Sequence, residues 1–295
     1  MIRYLVAGVK HAVGLHRPGR KLPVRPGDIL LASYPKSGNT WVRFLIANLR
    51  HPDRAVGYDN LHQLVLDPEV SVKRDFDRAP QPRIVKTHSS FDPRYRRVIC
   101  LVRDPRDVAL SQYQHLRQLR RIDDAFPMED FIERFLTGKL DRHLGSWGEN
   151  VGSWLAARSR DSGFLLLRYE DLLEGTAREL TRVADFAGLP ATPEAISQAV
   201  ERSSAEKMRK MAKSGGWRSD LPEPHVARIE AAWGDIMACL GYQLVTRDPR
   251  SALKSSLLGL LVAETPGGTG EPREMVFAGD TSAVPGSLPT RIMIR

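Results

Sequence analysis

Short, unbroken apolar runs alternate along this chain with longer stretches in which apolar residues recur every three or four positions. Asp28–Ser33 (DILLAS), Arg83–Thr87 (RIVKT), Arg97–Val102 (RVICLV) and Phe164–Arg168 (FLLLR) are of the first kind and predict strands buried on both faces. Thr40–Arg50 is of the second kind, with Trp41, Phe44, Leu45 and Leu49 on one face of a predicted helix. Asp104-Pro105 opens another helix that runs to Leu119, because an aspartate can cap a helix and a proline suits its first position. Amphipathic stretches follow at 128–137 and 147–159. A helix from Thr176 is predicted to end at Gly188-Leu189-Pro190, and Thr192-Pro193-Glu194 opens the next. The last clear helix, Glu223–Leu240, carries Val226, Ile229, Trp233, Ile236 and Leu240 and stops at Gly241. This alternation predicts an α/β fold of three layers, a central and mostly parallel sheet with helices on both faces.

No internal repeat is present. The pattern divides the chain into a basic, Gly- and Pro-rich lead-in at 1–26, a domain at 27–245, and a C-terminal arm at 246–295 whose turn residues and weak periodicity predict partial disorder. Residues 2–15 allow either a short amphipathic helix, able to lie on a membrane surface through residues 1–20, or a loosely docked lead-in.

Composition narrows the class. Of the 295 residues, 42% are hydrophobic and 27% charged, which supports a sizeable core and argues against a largely disordered chain. Two cysteines, Cys100 and Cys239, exclude a disulfide framework and cannot by themselves make a thiolate zinc site. No apolar run approaches the ~18–20 residues that span a bilayer. Lys10 and His11 interrupt the N-terminal apolar stretch too early for a signal peptide, so a reducing, cytoplasmic compartment is expected. The 44 basic against 35 acidic side chains, a formal charge of +9, predict affinity for anions without saying which.

The candidate chemistry begins at Tyr34-Pro35-Lys36-Ser37-Gly38-Asn39-Thr40-Trp41, a tight loop between a buried strand and a helix start. Unpaired N–H groups at a helix N-terminus, together with the helix dipole, bind phosphate or sulfate. Gly38 allows close approach of the backbone, Lys36 adds charge, and Ser37 and Thr40 add hydroxyl donors. The loop is not a Walker A sequence, because Lys36 precedes its glycine. An ordinary strand–turn–helix connection with a surface lysine is the plainer alternative. Two further groups fall at strand ends: Arg103-Asp104-Pro105-Arg106-Asp107, with Ser111 two helical turns on from Asp104, and Lys86-Thr87-His88. Ligands of parallel sheets bind beyond the carboxyl ends of the strands, so two basic sites on that edge suit a ligand with two phosphate-like groups. Arg103 and Arg106 could instead pair with Asp104 and Asp107. Histidine is the usual general base near neutral pH.

These motifs, in this order, resemble the sulfotransferases of the cytosolic type that use 3′-phosphoadenosine 5′-phosphosulfate (PAPS). The likeness covers roughly residues 27–243 and adds Arg168-Tyr169-Glu170-Asp171-Leu172 as a fourth motif. It implies a fold like that of the P-loop nucleoside triphosphate hydrolases. It also implies that Lys36, Ser37, Gly38, Asn39, Thr40 and Trp41 hold the 5′-phosphosulfate, Arg103 and Ser111 grip the 3′-phosphate, and Trp41 and Tyr169 contact adenine. His88 then takes a proton from an acceptor hydroxyl or amine that attacks sulfur in line, Lys36 stabilises charge on the leaving phosphate, and Lys86 assists the sulfuryl group. PAPS is expected as co-substrate, with no metal.

The chain departs from the family in the loop expected to clamp the 3′-phosphate. In Lys210-Met211-Ala212-Lys213-Ser214-Gly215-Gly216-Trp217-Arg218 the first glycine is Ala212 and the aspartate is Gly216, and an aromatic that often packs on adenine is Ala205. Lys210 or Lys213 are the candidate substitutes. The acceptor is expected to be a small molecule, a lipid or a saccharide, met by loops at 51–82, 112–150 and 220–225 that carry Tyr58, His62, Tyr113, Phe126 and Trp147. No nucleic-acid partner is expected, and no element of the sequence requires a dimer. Two other readings share the basic loop: a P-loop kinase-like phosphotransferase, which wants a Walker lysine and a magnesium carboxylate, and a non-catalytic module for anionic polymers or nucleic acid, which has no need of His88.

Overall fold

The computed structural model describes residues 25–141, 144–203 and 215–246. Four strands, β1 (Ile29–Ser33), β2 (Ile84–Thr87), β3 (Arg97–Val102) and β4 (Phe164–Arg168), form one sheet in the order β2-β1-β3-β4. Every pairing is parallel. The expectation of a parallel sheet between helices therefore holds among the described residues. The lead-in before Arg25 and the arm beyond Thr246 lie outside them, as does the loop at 204–214 that carries Ala205, Lys210, Ala212 and Lys213.

The strands read as continuous apolar runs because each serves two cores. Leu30 and Ala32 of β1, with Val98, Cys100 and Val102 of β3, enter one core, which also takes Phe131, Phe135, Trp147, Trp154 and Trp233. Ile29 and Leu31, with Ile99 and Leu101, enter the other, which takes Val42, Leu45, Leu180 and Val183. Period-two alternation across a pleated strand sends successive side chains to opposite faces, and here both faces are dry.

The helices are α1 (Asn39–Arg50), α2 (Leu61–Leu64), α3 (Lys73–Arg78), α4 (Pro105–Gln118), α5 (Met128–Leu136), α6 (Trp147–Arg158), α7 (Tyr169–Glu174), α8 (Thr176–Ala187), α9 (Pro193–Ser203), α10 (Trp217–Asp220) and α11 (Glu223–Cys239). The expected signals work locally. The Asp104 carboxylate accepts from the Arg106 amide at 2.9 Å, with Pro105 at the first turn of α4. Gly188 ends α8 in the left-handed region at φ 66°. Helices α2, α3, α7 and α10 have six residues or fewer, too short to show a 3.6-residue period, which is why the hydrophobic pattern did not announce them.

Two buried arginines lock the frame. Arg83 bonds Asp28 through Nε at 2.7 Å and Nη2 at 2.5 Å beneath the amino end of the sheet. Arg106 reaches Asp104 at 2.6 Å and Glu230 of α11 at 2.6 Å, and its guanidinium lies 3.6 Å from the centre of the Trp217 ring. Arg106 is thus a structural member of the Arg103–Asp107 group. Its pairing with Asp104 was foreseeable; its pairing with Glu230 was not.

Candidate active site

The register of the sheet lines up the sequence motifs along one edge. Ala32 lies opposite Thr87, so Ser33 and His88 leave β1 and β2 side by side. Ser33 lies opposite Leu101, which brings Arg103 alongside the loop that follows β1. Val102 lies opposite Arg168, which sets Arg103 next to Tyr169. From the strand order, the edge reads His88, the 34–41 loop, Arg103 and Tyr169.

The loop is shaped for an anion. Lys36 at φ 69° and Gly38 at φ 96° both take the left-handed conformation, which a non-glycine residue adopts at a cost of roughly 1–2 kcal/mol. Gly38 stands at the N-cap of α1 with no side-chain cap, so the first amides of the helix are left for another acceptor. The Ser37 side chain is fully buried, and its Oγ has no hydrogen-bond partner among the described residues. Thr40 is exposed beside it. A buried hydroxyl without an acceptor, uncapped amides and a left-handed glycine fit an oxyanion seated on the loop.

Other groups close this cradle. Arg103 donates to the Lys36 carbonyl at 3.1 Å and lies 4.6 Å from the centre of the Tyr169 ring. Trp41 meets Tyr169 edge-on, with ring centres 5.9 Å apart. Ser111 is half-buried on α4. No carboxylate pairs with the Lys36 ammonium among the described residues, and burial followed by the nearby Arg103 charge lowers its pKa. Asn39 behaves differently from its neighbours. Its amide side chain turns inward to Ser33 Oγ at 3.0 Å and to the Leu31 carbonyl at 3.4 Å, so only its backbone faces the cradle.

His88 is oriented by β1. Its Nδ1 lies 2.7 Å from the Ser33 carbonyl oxygen, which can only accept. In the neutral ring the proton is therefore on Nδ1 and the lone pair on Nε2. Burial, and then the Lys86 charge, push the His88 pKa down to about 4, against opposing contributions from Glu69 and Asp67. Lys86 reaches Asp67 at 3.2 Å and Glu69 at 3.6 Å, and Asp67 also takes Arg43 at 3.0 Å. Asn150 of α6 donates to the His88 carbonyl at 2.9 Å and fixes the strand exit.

Sequence reasoning missed Ser33 and Asn150, and it considered Asp107 only as a partner for Arg103 and Arg106. Asp107 accepts from the amides of Gly215 at 2.7 Å and Trp217 at 3.2 Å, which anchors the segment entering α10 to the helix that carries Ser111. Its place in the Arg103–Asp107 group was the signal available, but its partners lie 108 and 110 residues away. Of the aromatics considered for an acceptor pocket, Trp147 is fully buried against Trp233 at 5.4 Å, and Tyr113 donates its hydroxyl to the Phe126 carbonyl at 2.6 Å. Tyr58 is 59% exposed and rests edge-on against Phe44, and His62 is buried.

Gly38 gives a sharp test of the cradle. A Cβ there would stand 2.5 Å from Tyr169 Cδ2, and the φ of 96° is itself unfavourable to any other residue. Gly38→Ala is expected to displace Tyr169 or distort the loop and to weaken binding of an adenine bisphosphate by at least about tenfold, the equivalent of ~1.4 kcal/mol. Calorimetric titration checks it, with circular dichroism to show that the sheet is retained.

Comparison with known proteins identifies the family. The sulfotransferase domain profile matches residues 26–220. The dog (Canis lupus familiaris) protein sulfotransferase 1B1 is 31% identical over 202 residues, covering 63% of this chain and 67% of that one. A crystal structure of retinol dehydratase in complex with androsterone and inactive cofactor PAP matches with TM-score 0.56 and 25% identity, over 73% of this chain and 82% of that one. A putative steroid sulphotransferase of Arabidopsis thaliana shares the fold, with TM-score 0.58 and 24% identity over 77% of this chain and 81% of that one. Among the described residues, no group of three or more His, Cys, Asp or Glu side chains is placed to hold a metal, and no helix is long and apolar enough to cross a membrane.

Proposed function

Since the chain belongs to the sulfotransferase domain family, we propose that its 34–41 loop, Arg103, Ser111 and Tyr169 hold PAPS and that His88 activates a hydroxyl acceptor. The observation that carries this reading is the juxtaposition of a neutral histidine, with Nε2 available as base, and an uncapped anion loop on neighbouring parallel strands.

Each side chain then has a chemical task. The amides at the start of α1 and the hydroxyls of Ser37 and Thr40 bind the 5′-phosphate. Arg103 and Ser111 bind the 3′-phosphate, with Arg103 held over the Tyr169 ring by its cation–π contact. Tyr169 and Trp41 offer their rings to adenine. His88 Nε2 takes the acceptor proton as the acceptor oxygen attacks sulfur. Sulfur leaves the bridging oxygen, and the electron pair of that broken bond remains on the 5′-phosphate as negative charge. Lys36, a cation without a carboxylate partner among the described residues, stabilises that charge as it develops. Lys86 supplies positive potential beside His88 and the sulfuryl group while remaining tied to Asp67.

A small-molecule hydroxyl compound is the acceptor class in keeping with the named relatives. The test of the nucleotide assignment is direct. Adenosine 3′,5′-bisphosphate is expected to bind the full chain at micromolar concentration or below and to raise its melting temperature, by mass action on the folded state, where ATP does not. Absence of binding, or equal protection by ATP, overturns the assignment. A transfer assay from PAPS to a panel of phenols, sterols and saccharides then defines the acceptor.

A further inference from the structure

The end of the sheet remote from the reaction carries a second basic recess. Strand β1 delivers the chain to the anion loop, and α1 returns it over 12 residues, or about 18 Å of helix, to His51. Pro80 stands shortly before β2 begins at Ile84. Between these points, at the amino ends of the strands, lies a cavity of about 340 Å³. Its polar lining comprises His51, Arg54, Gln63, Arg74, Asp75 and Arg78, over a floor of Leu64, Ala79 and Pro80.

The charges in this recess are unbalanced. Arg74 and Arg78 are four residues apart on α3 and share a face, an arrangement of like charges that weakens a short helix. Arg54 comes to the same cavity from the segment after α1. None of the three guanidinium groups makes an ion pair or hydrogen bond among the described residues. The contrast with other arginines of the chain is plain: Arg43, Arg83, Arg94, Arg106, Arg168 and Arg182 each meet a carboxylate. The single carboxylate among the described lining residues, Asp75, is already used as the cap of α3, accepting from the Val72 amide at 2.9 Å. His51 adds a donor or acceptor, because its Nε2 is buried with no partner among the described residues.

We infer that this cavity is an anion site, distinct from the catalytic edge, that binds a multiply charged phosphate or sulfate group. The chemistry of the lining supports that class. Three exposed arginines line one volume, and planar guanidinium groups suit the bidentate geometry of such oxyanions. Gln63 and His51, also in the lining, can add neutral hydrogen bonds. The cavity volume is at the small end of the range for ligand sites, large enough for a pyrophosphate or for the phosphorylated headgroup of a lipid. Burial together with the Arg50 and Arg54 charges holds the His51 pKa below its ordinary value. A bound polyanion opposes that repulsion and raises it, so His51 is a local reporter of occupancy that the catalytic loop does not disturb.

The experiment uses the full chain with isotope-labelled histidine, the His51 ring signals being assigned by comparison with His51→Gln. Pyrophosphate, at concentrations up to millimolar, is expected to shift those signals and to raise the pH midpoint of the His51 titration. In Arg74→Ala/Arg78→Ala the apparent affinity at this reporter is expected to fall by at least about tenfold, the loss typical of a deleted charge-assisted contact. Arg54→Gln, which leaves α3 unaltered, is expected to weaken binding in the same direction. Vesicles of phosphatidylcholine with and without an anionic phosphoinositide separate the two sources. Arginine-dependent co-sedimentation with the phosphoinositide vesicles assigns a lipid headgroup, and a response to pyrophosphate alone assigns a free anion. A His51 signal indifferent to both, or one that responds equally in the arginine variants, overturns the site.

Discussion

His88→Ala is expected to lower turnover by about 10²–10⁴-fold, the usual contribution of a positioned general base, while adenosine 3′,5′-bisphosphate binds nearly as tightly as before. The separation follows from geometry. His88 stands at the end of β2, and the cradle is built by β1, β3 and β4, so deleting the imidazole removes no group that faces the nucleotide. His88→Asn keeps a hydrogen bond to the Ser33 carbonyl but supplies no basic nitrogen, and is expected to be as inactive as the alanine variant. Recovery of activity in the asparagine variant would assign His88 a positioning role only. The pH profile is a second readout. With a pKa of about 4, the ring is neutral, and so competent as a base, at every pH above that value. The acid limb of kcat/KM, which reports the free enzyme, is therefore expected near pH 4 instead of near the ordinary histidine value of ~6.5. Lys86→Met removes a positive neighbour that lowers the His88 pKa, and is expected to move that limb to higher pH.

Lys36→Met is expected to reduce kcat by about 10²–10³-fold, the range for removing one preorganised group that stabilises transition-state charge. Methionine retains much of the length of the side chain, so the loop keeps its packing and loses only the ammonium. The loss in bisphosphate affinity is expected to be smaller, about tenfold, because the backbone amides and the Ser37 and Thr40 hydroxyls still hold the 5′-phosphate. An equal loss in kcat and in binding would mean that Lys36 grips ground state and transition state alike. The lowered Lys36 pKa adds a sign to the alkaline side. Activity depends on the protonated ammonium, so it falls as pH rises, and in the free enzyme it does so below the usual lysine range. Bound phosphosulfate favours the charged form, and the same limb in kcat lies higher than in kcat/KM.

Much of this site was readable without the fold, and the legible parts share a cause. A buried parallel strand needs an unbroken apolar run, and a helix start needs a capping residue or a glycine; both conditions involve neighbours within a few positions. Thus DILLAS, RIVKT, RVICLV and FLLLR were placed to within a residue, and Asp104-Pro105 marked the start of α4. The anion loop was legible for the same reason, since its conformation and its uncapped amides are properties of residues 34–41 alone.

The illegible parts are those in which identical residue types take different partners. Arg103 and Arg106 sit three positions apart in one motif, yet one faces the cradle and the other is sealed against Glu230, 124 residues away. Asn39 lies in the anion loop yet turns its amide into the strand. Asp107, expected at most to pair with Arg103 or Arg106, instead holds the Gly215 and Trp217 amides. The unpaired arginines near His51 belong to segments that no local pattern connects.

The chain by itself determined its strands and longer helices, an anion loop and the candidate base, because each depends on short-range hydrophobic period, backbone freedom or residue type. Only the tertiary structure decided which nitrogen of His88 is basic, which arginine faces the 34–41 loop and where charge is left unpaired among the described residues. Those outcomes depend on the strand order β2-β1-β3-β4, which is not the chain order. Side chains 55 residues apart, such as His88 and Ser33, become neighbours only once the sheet is in register.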